Sequence, residues 1–374
     1  METLDIGVDA LREWLESGRP VTVLDIRPPV QREEWSIPGS VPVDAQVAMR
    51  AGGSAGAGAT TVAGVQLRPG EPVVAVCAEG KTSLLAVRAM REHGIPAVSL
   101  KGGMKAWSLA WNVADVDLSG SKAQIVKVRR TGKGCLSYIV ASKSEAAVVD
   151  ASVDPDIYRR IADERGFTIT HVIDTHVHAD HLSRSRALAA WCRAELYLPE
   201  QDRVTYAFRP LHEGDSLPIG DVSIQAFHTP GHTPESMCYL VDRRALLTGD
   251  TLFPGAVGRP DLAASAEQAR TRAHILYATL RRLAKLSPSL WILPCHTSEP
   301  IPFDEIPCGA RLDEVLRKVD MLRASEDGFV ETLLSRIPET PPHHLEIVRL
   351  NELGEFPEGD PTELEAGANR CAIS

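Results

Sequence analysis

One short stretch constrains the fold of this chain more than any other feature. The run Thr175-His176-Val-His178-Ala-Asp180-His181 comes directly after a predicted buried strand at 169–174. Three imidazoles and one carboxylate so close together can surround one or two metal ions, whereas a lone histidine is more often a core or surface residue. In open α/β sheets, ligands bind at the loops that follow the carboxyl ends of the strands. The chain must therefore fold so that this strand end meets other donors.

Three further candidate donors stand just past predicted strands. His232 lies in Thr229-Pro-Gly-His-Thr-Pro, Asp250 lies in Leu247-Thr-Gly-Asp-Thr-Leu, and His296 follows Pro-Cys. Because each one sits beside turn residues at a predicted strand end, all can converge on one rim. The sequence therefore predicts a metal site. The donor types alone leave the identity of the metal open.

Composition excludes several classes of protein. A length of 374 residues predicts two or three domains, at about 150 residues each. The chain has 40 Lys+Arg and 50 Asp+Glu, and its net charge of −10 argues against general binding to nucleic acid or to an anionic membrane. We expect no membrane span and no secretory signal, because the apolar runs are short and the first residues are acidic. The seven scattered cysteines indicate reduced thiols in the cytoplasm.

Buried strands alternate with helices in two separate parts of the chain, which predicts an α/β fold with a parallel sheet in the first part. In that part we expect Asp9 to be the N-cap of the first helix, and residues 51–60 to form a flexible loop. The predicted organisation is a first domain at 1–112, a linker at 113–121, a second domain at 122–325 and an extension at 326–374. Residues 338–374, which are rich in Pro, Glu and Gly, are expected to wrap the surface, and a homodimer built on this segment is left open.

Cys77 stands at the end of a predicted strand, in the loop Cys77-Ala-Glu-Gly80-Lys81-Thr82-Ser83 that leads into a helix. Backbone N–H groups of such a loop bind anions and lower the pKa of a thiol, and Lys81 adds positive charge. Gly80, Thr82 and Ser83 are therefore candidates to bind an anionic substrate. The alternative is a buried, unreactive cysteine.

The first domain resembles the rhodanese-type sulfurtransferases over residues 5–112. The resemblance lies in Leu24-Asp-Ile-Arg27, Ser36-Ile-Pro-Gly-Ser40 and Leu100-Lys-Gly-Gly-Met-Lys-Ala-Trp107, together with the Cys77 loop. It implies that Cys77 carries a persulfide and passes its outer sulfur to a nucleophile. The related cysteine-based phosphatases have arginine at the position of Ser83, so phosphatase chemistry is not expected. An inactive docking or regulatory domain is the alternative.

The second domain resembles the metallo-β-lactamase fold, an αββα sandwich with metals at the mouth between two sheets. The family's full ligand set is matched by His176, His178, Asp180, His181, His232, Asp250 and His296. A dinuclear zinc hydrolase similar to glyoxalase II would use all seven, with Asp250 bridging. The persulfide dioxygenase branch, by resemblance, binds one Fe(II) through His176, His232 and Asp250, a facial triad with open positions for sulfur and O₂. There the other four would orient the ligands or relay protons, with Asp180 a candidate catalytic group.

Two features favour the dioxygenase. The stretch from Thr248 to Leu262 is similar to that branch, and by this resemblance Arg259 would hold a glutathione carboxylate; a structural salt bridge to Asp261 is the alternative. A sulfurtransferase neighbour also handles persulfides, thiosulfate and sulfite. We therefore expect Fe(II)-dependent oxidation of glutathione persulfide, or a similar thiol persulfide, by O₂ to sulfite, coupled to sulfur transfer through Cys77 that forms or cleaves thiosulfate.

Two other functions stay open. One is a thioester hydrolase with one or two Zn²⁺, and the other is a non-catalytic regulator that responds to persulfide. The remaining cysteines are expected to be packing or surface residues: Cys135, Cys192, Cys238, Cys295, Cys308 and Cys371. For Cys295, beside the candidate ligand His296, an approach to the metal is the alternative, and Cys308 is a similar candidate.

Overall fold

Short runs of valine, leucine and isoleucine form a parallel five-stranded sheet in the first part of the chain. The computed structural model describes residues 3–45, 48, 60–62, 65–67 and 70–374. In spatial order, the strands of this sheet are Asp5–Ile6 (β1), Ala97–Leu100 (β7), Val73–Val76 (β6), Thr22–Asp25 (β2) and Val41–Pro42 (β3). The central strand β6 is buried at every residue because helices cover both faces of the sheet.

The helices of the first domain bury their apolar faces on this sheet. Helix Lys81–Glu92 packs on one face, and helices Val8–Glu16 and Gly103–Trp107 pack on the other. The domain also contains helix Pro29–Glu34 and the hairpin formed by Thr60–Val62 (β4) and Val65–Leu67 (β5).

One local expectation about the first domain is wrong, and another is not tested. Asp9 is not the N-cap, because the backbone at Gly7 is extended and the Gly7 carbonyl accepts the first helical hydrogen bond from Leu11. Asp9 instead lies in the first turn, where a carboxylate suits the positive end of the helix dipole. The predicted flexible loop at 51–60 lies outside the described residues except for Thr60, which begins β4.

Two sheets face each other in the second domain. The first sheet contains seven strands, Asn112–Val116 (β8), Gln124–Arg130 (β9), Cys135–Ser142 (β10), Glu145–Val149 (β11), Thr168–Ile173 (β12), Glu195–Pro199 (β13) and Arg209–Leu211 (β14). Their spatial order is β14-β13-β12-β11-β10-β9-β8. The second sheet contains six strands, Ser216–Ile219 (β15), Val222–His228 (β16), Met237–Val241 (β17), Ala245–Gly249 (β18), Trp291–Pro294 (β20) and Ala310–Arg311 (β21). Their spatial order is β15-β16-β17-β18-β20-β21.

Alternation along the strands divides the apolar side chains between separate cores. In β10, Tyr138 and Val140 join the core between the two sheets, while Ile139 and Ala141 join the core beneath the helices on the outer face. Those outer helices are Pro155–Glu164 and Ser185–Cys192. The other sheet is covered by Ala266–Leu283, Leu312–Lys318, the 3₁₀ turn Asp320–Arg323 and Glu326–Ser335. The expected αββα sandwich and the α/β fold class are confirmed.

The boundary between the domains is tighter than the predicted linker. Strand β8 begins at Asn112 and pairs antiparallel with β9, although residues 113–121 carry no strong period of their own. The Gly132 N–H donates to the Ala110 carbonyl at 3.1 Å, and Arg130 Nε donates to the Ser108 carbonyl at 2.7 Å. Pairing with a neighbouring strand, rather than local sequence, makes this segment a strand.

The last part of the chain contains helices His344–Leu353 and Thr362–Glu365 and ends in strand Ala372–Ile373 (β22). Strand β22 pairs antiparallel with Val257–Gly258 (β19), beside the histidine-bearing loops. Among the described residues, the helices are too short or too polar to cross a membrane.

Candidate metal centre and candidate thiol site

The strand ends that carry the histidine motifs converge as expected. His176 follows β12, His232 follows β16 and Asp250 directly follows β18. The Nε2 atoms of His176 and His232 lie 3.7 and 3.5 Å from Oδ2 of Asp250. Their three donor atoms lie within 4.8 Å of one another, and all three residues are buried. The three predicted ligands therefore form one cluster.

Hydrogen bonds turn the free ring nitrogens of this cluster toward its centre. His232 Nδ1 donates to the Arg259 carbonyl at 2.8 Å, and His176 Nδ1 lies 2.9 Å from Thr175 Oγ1, which donates to Asp150. These contacts leave Nε2 of each ring as the metal-facing atom. Within the described part of the chain, His176 Nε2 and Asp250 Oδ2 have no hydrogen-bond partner although both are buried. Buried polar atoms without partners are costly, so the residues fit a metal ion.

The charge states in this cluster also suit a metal. Burial lowers the pKa of His232 and of His176, so both imidazoles are neutral. Burial alone would raise the pKa of Asp250, but the nearby His296, His232 and His176 outweigh it and hold that pKa well below its usual range. Neutral imidazoles and an ionised carboxylate are the states in which these groups bind metals.

The other predicted residues surround this cluster. His296 Nδ1 lies 2.6 Å from Asp250 Oδ1, and its Nε2 lies 2.8 Å from Asp180 Oδ2. His181 Nδ1 lies 3.1 Å from Asp180 Oδ1. His178 Nε2 lies 3.2 Å from Asp150 Oδ1, and the centroid of its ring lies 4.3 Å from those of His176 and His181. Asp180, His181 and His296 thus form a second cluster that touches the first through Asp250.

Three cysteines expected to be packing or surface residues lie at these clusters. Cys295 Sγ is 3.1 Å from Asp250 Oδ1, Cys135 Sγ is 3.5 Å from Asp180 Oδ2, and Cys371 groups with Asp250 and His296. All three are buried. Cys295 was visible as the neighbour of a candidate ligand, whereas no local pattern marks Cys135 or Cys371.

The expectation that the end of the chain wraps the surface is wrong for Glu365, Asn369 and Cys371, all of which are buried. Glu365 is completely buried and pairs with Arg130 at 3.0 Å and with Arg184. Asn369 Nδ2 donates to Asp180 Oδ2 at 2.7 Å. The segment from Glu365 to Ile373, here called the C-terminal strap, therefore packs into the metal centre.

Arg259 forms the salt bridge to Asp261 that was the alternative to binding a glutathione carboxylate. Its side chain is completely buried and forms a two-point salt bridge with Asp261 at 2.9 and 2.8 Å. The remaining guanidinium N–H groups donate to the carbonyls of Glu339, Arg370 and Pro338. Because these partners belong to the chain itself, the geometry does not leave Arg259 free for a glutathione carboxylate.

The Cys77 loop forms the expected cradle. The backbone N–H of Gly80 donates to Cys77 Sγ at 3.1 Å, that of Ser83 does so at 3.4 Å, and Ser83 Oγ lies 3.3 Å away. Burial alone raises the pKa of Cys77, but these hydrogen bonds outweigh it and lower the pKa below its ordinary value. Thr82 is exposed, and the exposed Lys81 ammonium pairs with Glu79 at 2.6 Å.

A cavity of about 510 Å³ opens beside the metal centre. His296, Phe253 and Lys318 line it, together with Ala372 and Ser374 of the chain terminus. Volumes of roughly 300–1,000 Å³ are typical of small-molecule sites.

Comparisons with known proteins agree with this architecture. The rhodanese-like domain model matches residues 7–110, and the metallo-beta-lactamase superfamily model matches residues 130–296. A probable metallo-hydrolase of Burkholderia pseudomallei is 30% identical over 208 residues, which cover 44% of this chain and 69% of that protein. A hydroxyacylglutathione hydrolase of Rhizobium etli is 29% identical over 203 residues, 52% of this chain and 76% of that protein. A crystal structure of ETHE1 from Myxococcus xanthus shares the fold, with a TM-score of 0.53 and 24% identity over 61% of this chain and 97% of that one.

Proposed function

We propose a function from one premise: the chain belongs to the metallo-β-lactamase superfamily and carries a rhodanese-like domain. Both are enzyme families, and their pairing indicates a metal-dependent, sulfur-related role. The specific proposal is that the second domain oxidises a thiol persulfide with O₂ to sulfite, using one Fe(II). The first domain transfers sulfane sulfur through Cys77.

The observation that carries the proposal is the triad itself. Two neutral imidazoles and one carboxylate face one another, and His176 Nε2 and Asp250 Oδ2 are buried without a partner among the described residues. A two-histidine, one-carboxylate set is the ligand pattern of non-haem Fe(II) oxygenases. Fe(II), when bound by these residues, supplies the one-electron chemistry that lets a spin-paired persulfide react with O₂.

The residues around the triad have definite tasks in this scheme. Arg259 and Thr175 hold the rings of His232 and His176 in orientation through hydrogen bonds to Nδ1. The overall reaction takes one persulfide, one O₂ and one water to one thiol, one sulfite and two protons. Asp180 and His296, in contact at 2.8 Å, are placed to accept and pass on those protons.

The cavity beside His296 is the proposed entry for the persulfide. Its volume of about 510 Å³ suits a tripeptide thiol such as glutathione. Since Arg259 is occupied, Lys318 is the cation lining this cavity that can meet a substrate carboxylate. The substrate's sulfur would then extend toward the triad.

The Cys77 loop is proposed to hold the sulfane sulfur that the second domain makes or uses. The N–H groups of Gly80 and Ser83 stabilise a thiolate or a persulfide anion on Cys77. Sulfite attack on the outer persulfide sulfur would form thiosulfate and return the Cys77 thiolate, and the reverse reaction would cleave thiosulfate. The Cys77 thiol must stay reduced, which agrees with the proposed cytoplasmic location.

A dinuclear zinc thioester hydrolase is the second candidate. The cluster of Asp180, His181 and His296 beside Asp250 offers a second metal position. The similarity to a protein named hydroxyacylglutathione hydrolase points the same way. In this case Asp250 would contact both metals.

The deciding experiment measures O₂ uptake by the anaerobically purified, Fe(II)-loaded protein on addition of glutathione persulfide, with sulfite and thiosulfate measured in the same sample. Uptake matched by sulfite plus thiosulfate is the expected result. No uptake with Fe(II) verified as bound would reject the dioxygenase, and hydrolysis of thioesters by the zinc-loaded protein would then support the second candidate.

A further inference from the structure

Lys133 is a buried lysine whose ammonium has no partner among the described residues. It stands in the turn between β9 and β10, and only 4% of its surface is exposed. No hydrogen bond or salt bridge to this ammonium forms within the described ranges, whereas the neighbouring Arg129 and Arg130 both have carboxylate partners. A buried charge is costly unless it is paired, so an anion in contact with Lys133 would be strongly favoured.

The space for such an anion is a cavity of about 370 Å³ that Lys133 lines, here called the Lys133 cavity. Asp180 of the metal centre lines it from the second domain, and Glu34 lines it from the first domain. The C-terminal strap contributes residues 365–368 and Arg370. The Lys133 cavity shares no lining residue with the cavity beside His296. It therefore borders the metal centre on a different side from the proposed entry of the persulfide.

The carboxylates that line the Lys133 cavity have partners of their own, so none of them balances the lysine. Glu34 and Glu339 share Arg370, at 2.8 and 3.1 Å. Glu365 is held by the two buried arginines of the strap ion pair. Asp180 contacts the imidazoles of the second cluster. The ammonium is thus the charge in this cavity that is left for a ligand, and the ligand must be an anion.

A second cavity, of about 290 Å³, lies between the Lys133 cavity and the Cys77 loop. Both cavities are lined by Glu34, Ala366 and Gly367. The second cavity is also lined by Ala78 and Glu79 of the Cys77 loop and by Gly132, the neighbour of Lys133 in the turn. An anion bound at Lys133 would therefore lie between the metal centre and the Cys77 loop, beneath the strap.

We propose that the Lys133 cavity binds sulfite and holds it between the two sites. This inference rests on the proposed function, in which sulfite forms at the metal centre and is consumed at the Cys77 persulfide. No bond forms or breaks at Lys133, whose ammonium donates hydrogen bonds to a sulfite oxygen. Sulfite then attacks the outer persulfide sulfur, which forms thiosulfate and returns the Cys77 thiolate. A small oxyanion suits a site with a single ammonium, whereas the larger cavity beside His296 suits the tripeptide persulfide.

The first test is isothermal titration calorimetry of sulfite into the anaerobic, Fe(II)-loaded, full-length protein without persulfide. The wild type is compared with Lys133→Met and with Lys122→Met, whose lysine is exposed and paired with Asp221. Sulfite bound at the iron would be the same in all three proteins. The wild type and Lys122→Met should show a further binding phase that weakens at least about tenfold in Lys133→Met, as for loss of a charge-assisted hydrogen bond. Equal binding by wild type and Lys133→Met would overturn the proposal.

A second measurement does not depend on how Lys133→Met folds, because it follows sulfur atoms through the wild type. The protein oxidises unlabelled glutathione persulfide in excess ³⁴S-labelled sulfite, and mass spectrometry measures the label in thiosulfate. Thiosulfate formed under the same conditions by Cys77→Ser is subtracted as the background of direct reaction in solution. The product should carry less label than the sulfite in solution, because sulfite held at Lys133 reaches Cys77 before it mixes with solvent. Equal labelling would reject the transfer between sites.

The two measurements separate this site from the activity on which it rests. The calorimetric titration contains neither persulfide nor O₂, so it reports on the Lys133 site even if the second domain proves to catalyse another reaction. Sulfite binding that depends on Lys133, without O₂ uptake, would support the site and reject the dioxygenase. O₂ uptake without such binding would support the dioxygenase and reject the site.

Discussion

Asn369 Nδ2 donates a hydrogen bond of 2.7 Å to Oδ2 of Asp180, across 189 residues of sequence. It joins the C-terminal strap to the loop that carries the histidine run. Asn369 Oδ1 also accepts from the Cys371 N–H at 2.9 Å, which fixes the path of the strap. The end of the chain is therefore part of the metal centre.

Removal of this hydrogen bond should weaken binding of a second Zn²⁺ at Asp180, His181 and His296, the position that the thioester hydrolase candidate requires. In Asn369→Ala, the Asp180 carboxylate loses its orienting donor, and loss of such an outer partner of a metal ligand typically costs about 10- to 100-fold in metal affinity. Competition with a chromophoric chelator measures the change. Glu363→Gln, an exposed substitution in the nearby helix, is the control and should bind metal like the wild type. Equal affinity for all three proteins would contradict a role for Asn369.

The buried ion pair of the strap should matter for stability. Glu365→Gln leaves the buried guanidinium groups of Arg130 and Arg184 without their counter-charge, and breaking a buried pair in this way costs about 3–5 kcal/mol. Urea unfolding followed by tryptophan fluorescence measures the loss. Glu363→Gln removes an exposed charge and should change the unfolding midpoint little.

The same pair predicts a pH dependence. Burial alone raises the pKa of Glu365, but Arg130 and Arg184 outweigh it and hold the pKa well below the ordinary 4.5. A depressed carboxyl pKa gives stability that is fully present above the unfolded-state pKa and is lost as the pH falls. The stability gap between wild type and Glu365→Gln should thus be constant near neutral pH and shrink below about pH 4.5. A gap that widens in acid would show that the assigned charge state is wrong.

Asp250→Ala should abolish metal binding at the triad and, with it, O₂ uptake. The carboxylate is the only anionic member of the triad, and neither histidine can replace its charge. Metal analysis after anaerobic loading with Fe(II) provides the measurement. Asp221→Ala, which removes an exposed carboxylate paired with Lys143, should keep wild-type iron content. Full iron occupancy in Asp250→Ala would mean that the triad is misassigned.

A substitution at Cys77 can separate the two proposed activities, sulfur transfer by the first domain and persulfide oxidation by the second. Cys77→Ser should abolish sulfur transfer between thiosulfate and a thiol acceptor while leaving O₂ uptake with glutathione persulfide intact. The two assays are run on the same preparation, with Cys192→Ser as the control. Loss of both activities in Cys77→Ser would show that the second domain depends on the first for its reaction.

The cradle around Cys77 predicts how its reactivity varies with pH. Its pKa lies below the ordinary 9.0, since the hydrogen bonds of Ser83 and of the loop favour the thiolate. The half-point of Cys77 alkylation by iodoacetamide, located by mass spectrometry, should lie below pH 9.0 and move upward in Ser83→Ala. Ser17→Ala, an exposed site on another helix end, should leave the half-point in place. A downward shift in Ser83→Ala would reverse the assigned direction.

Local sequence determined much of this protein. The apolar run of β10, the period of two along β16 and the amphipathic faces of the helices specify buried layers, and all three can be read from neighbouring residues. His176, Asp250 and Cys77 were predictable because each directly follows a strand, where α/β folds place ligands. The sequence did not show that β12 and β18, which carry His176 and Asp250, belong to two facing sheets. The two-domain α/β organisation follows from the alternation of strands with helices in both parts of the chain.

Tertiary structure decided the rest, because the deciding contacts join residues far apart in the chain. The sequence left two roles open for Arg259, a contact with a glutathione carboxylate and a structural salt bridge. Its burial against Asp261 and against the carbonyls of a segment about 80 residues later favours the salt bridge. The sequence of strand β8 has only a weak hydrophobic period, and this segment forms a strand because β9 pairs with it. Cys135 and Asn369 carry no local signal, since only folding brings this thiol and this amide from distant segments to within a few ångströms of Asp180.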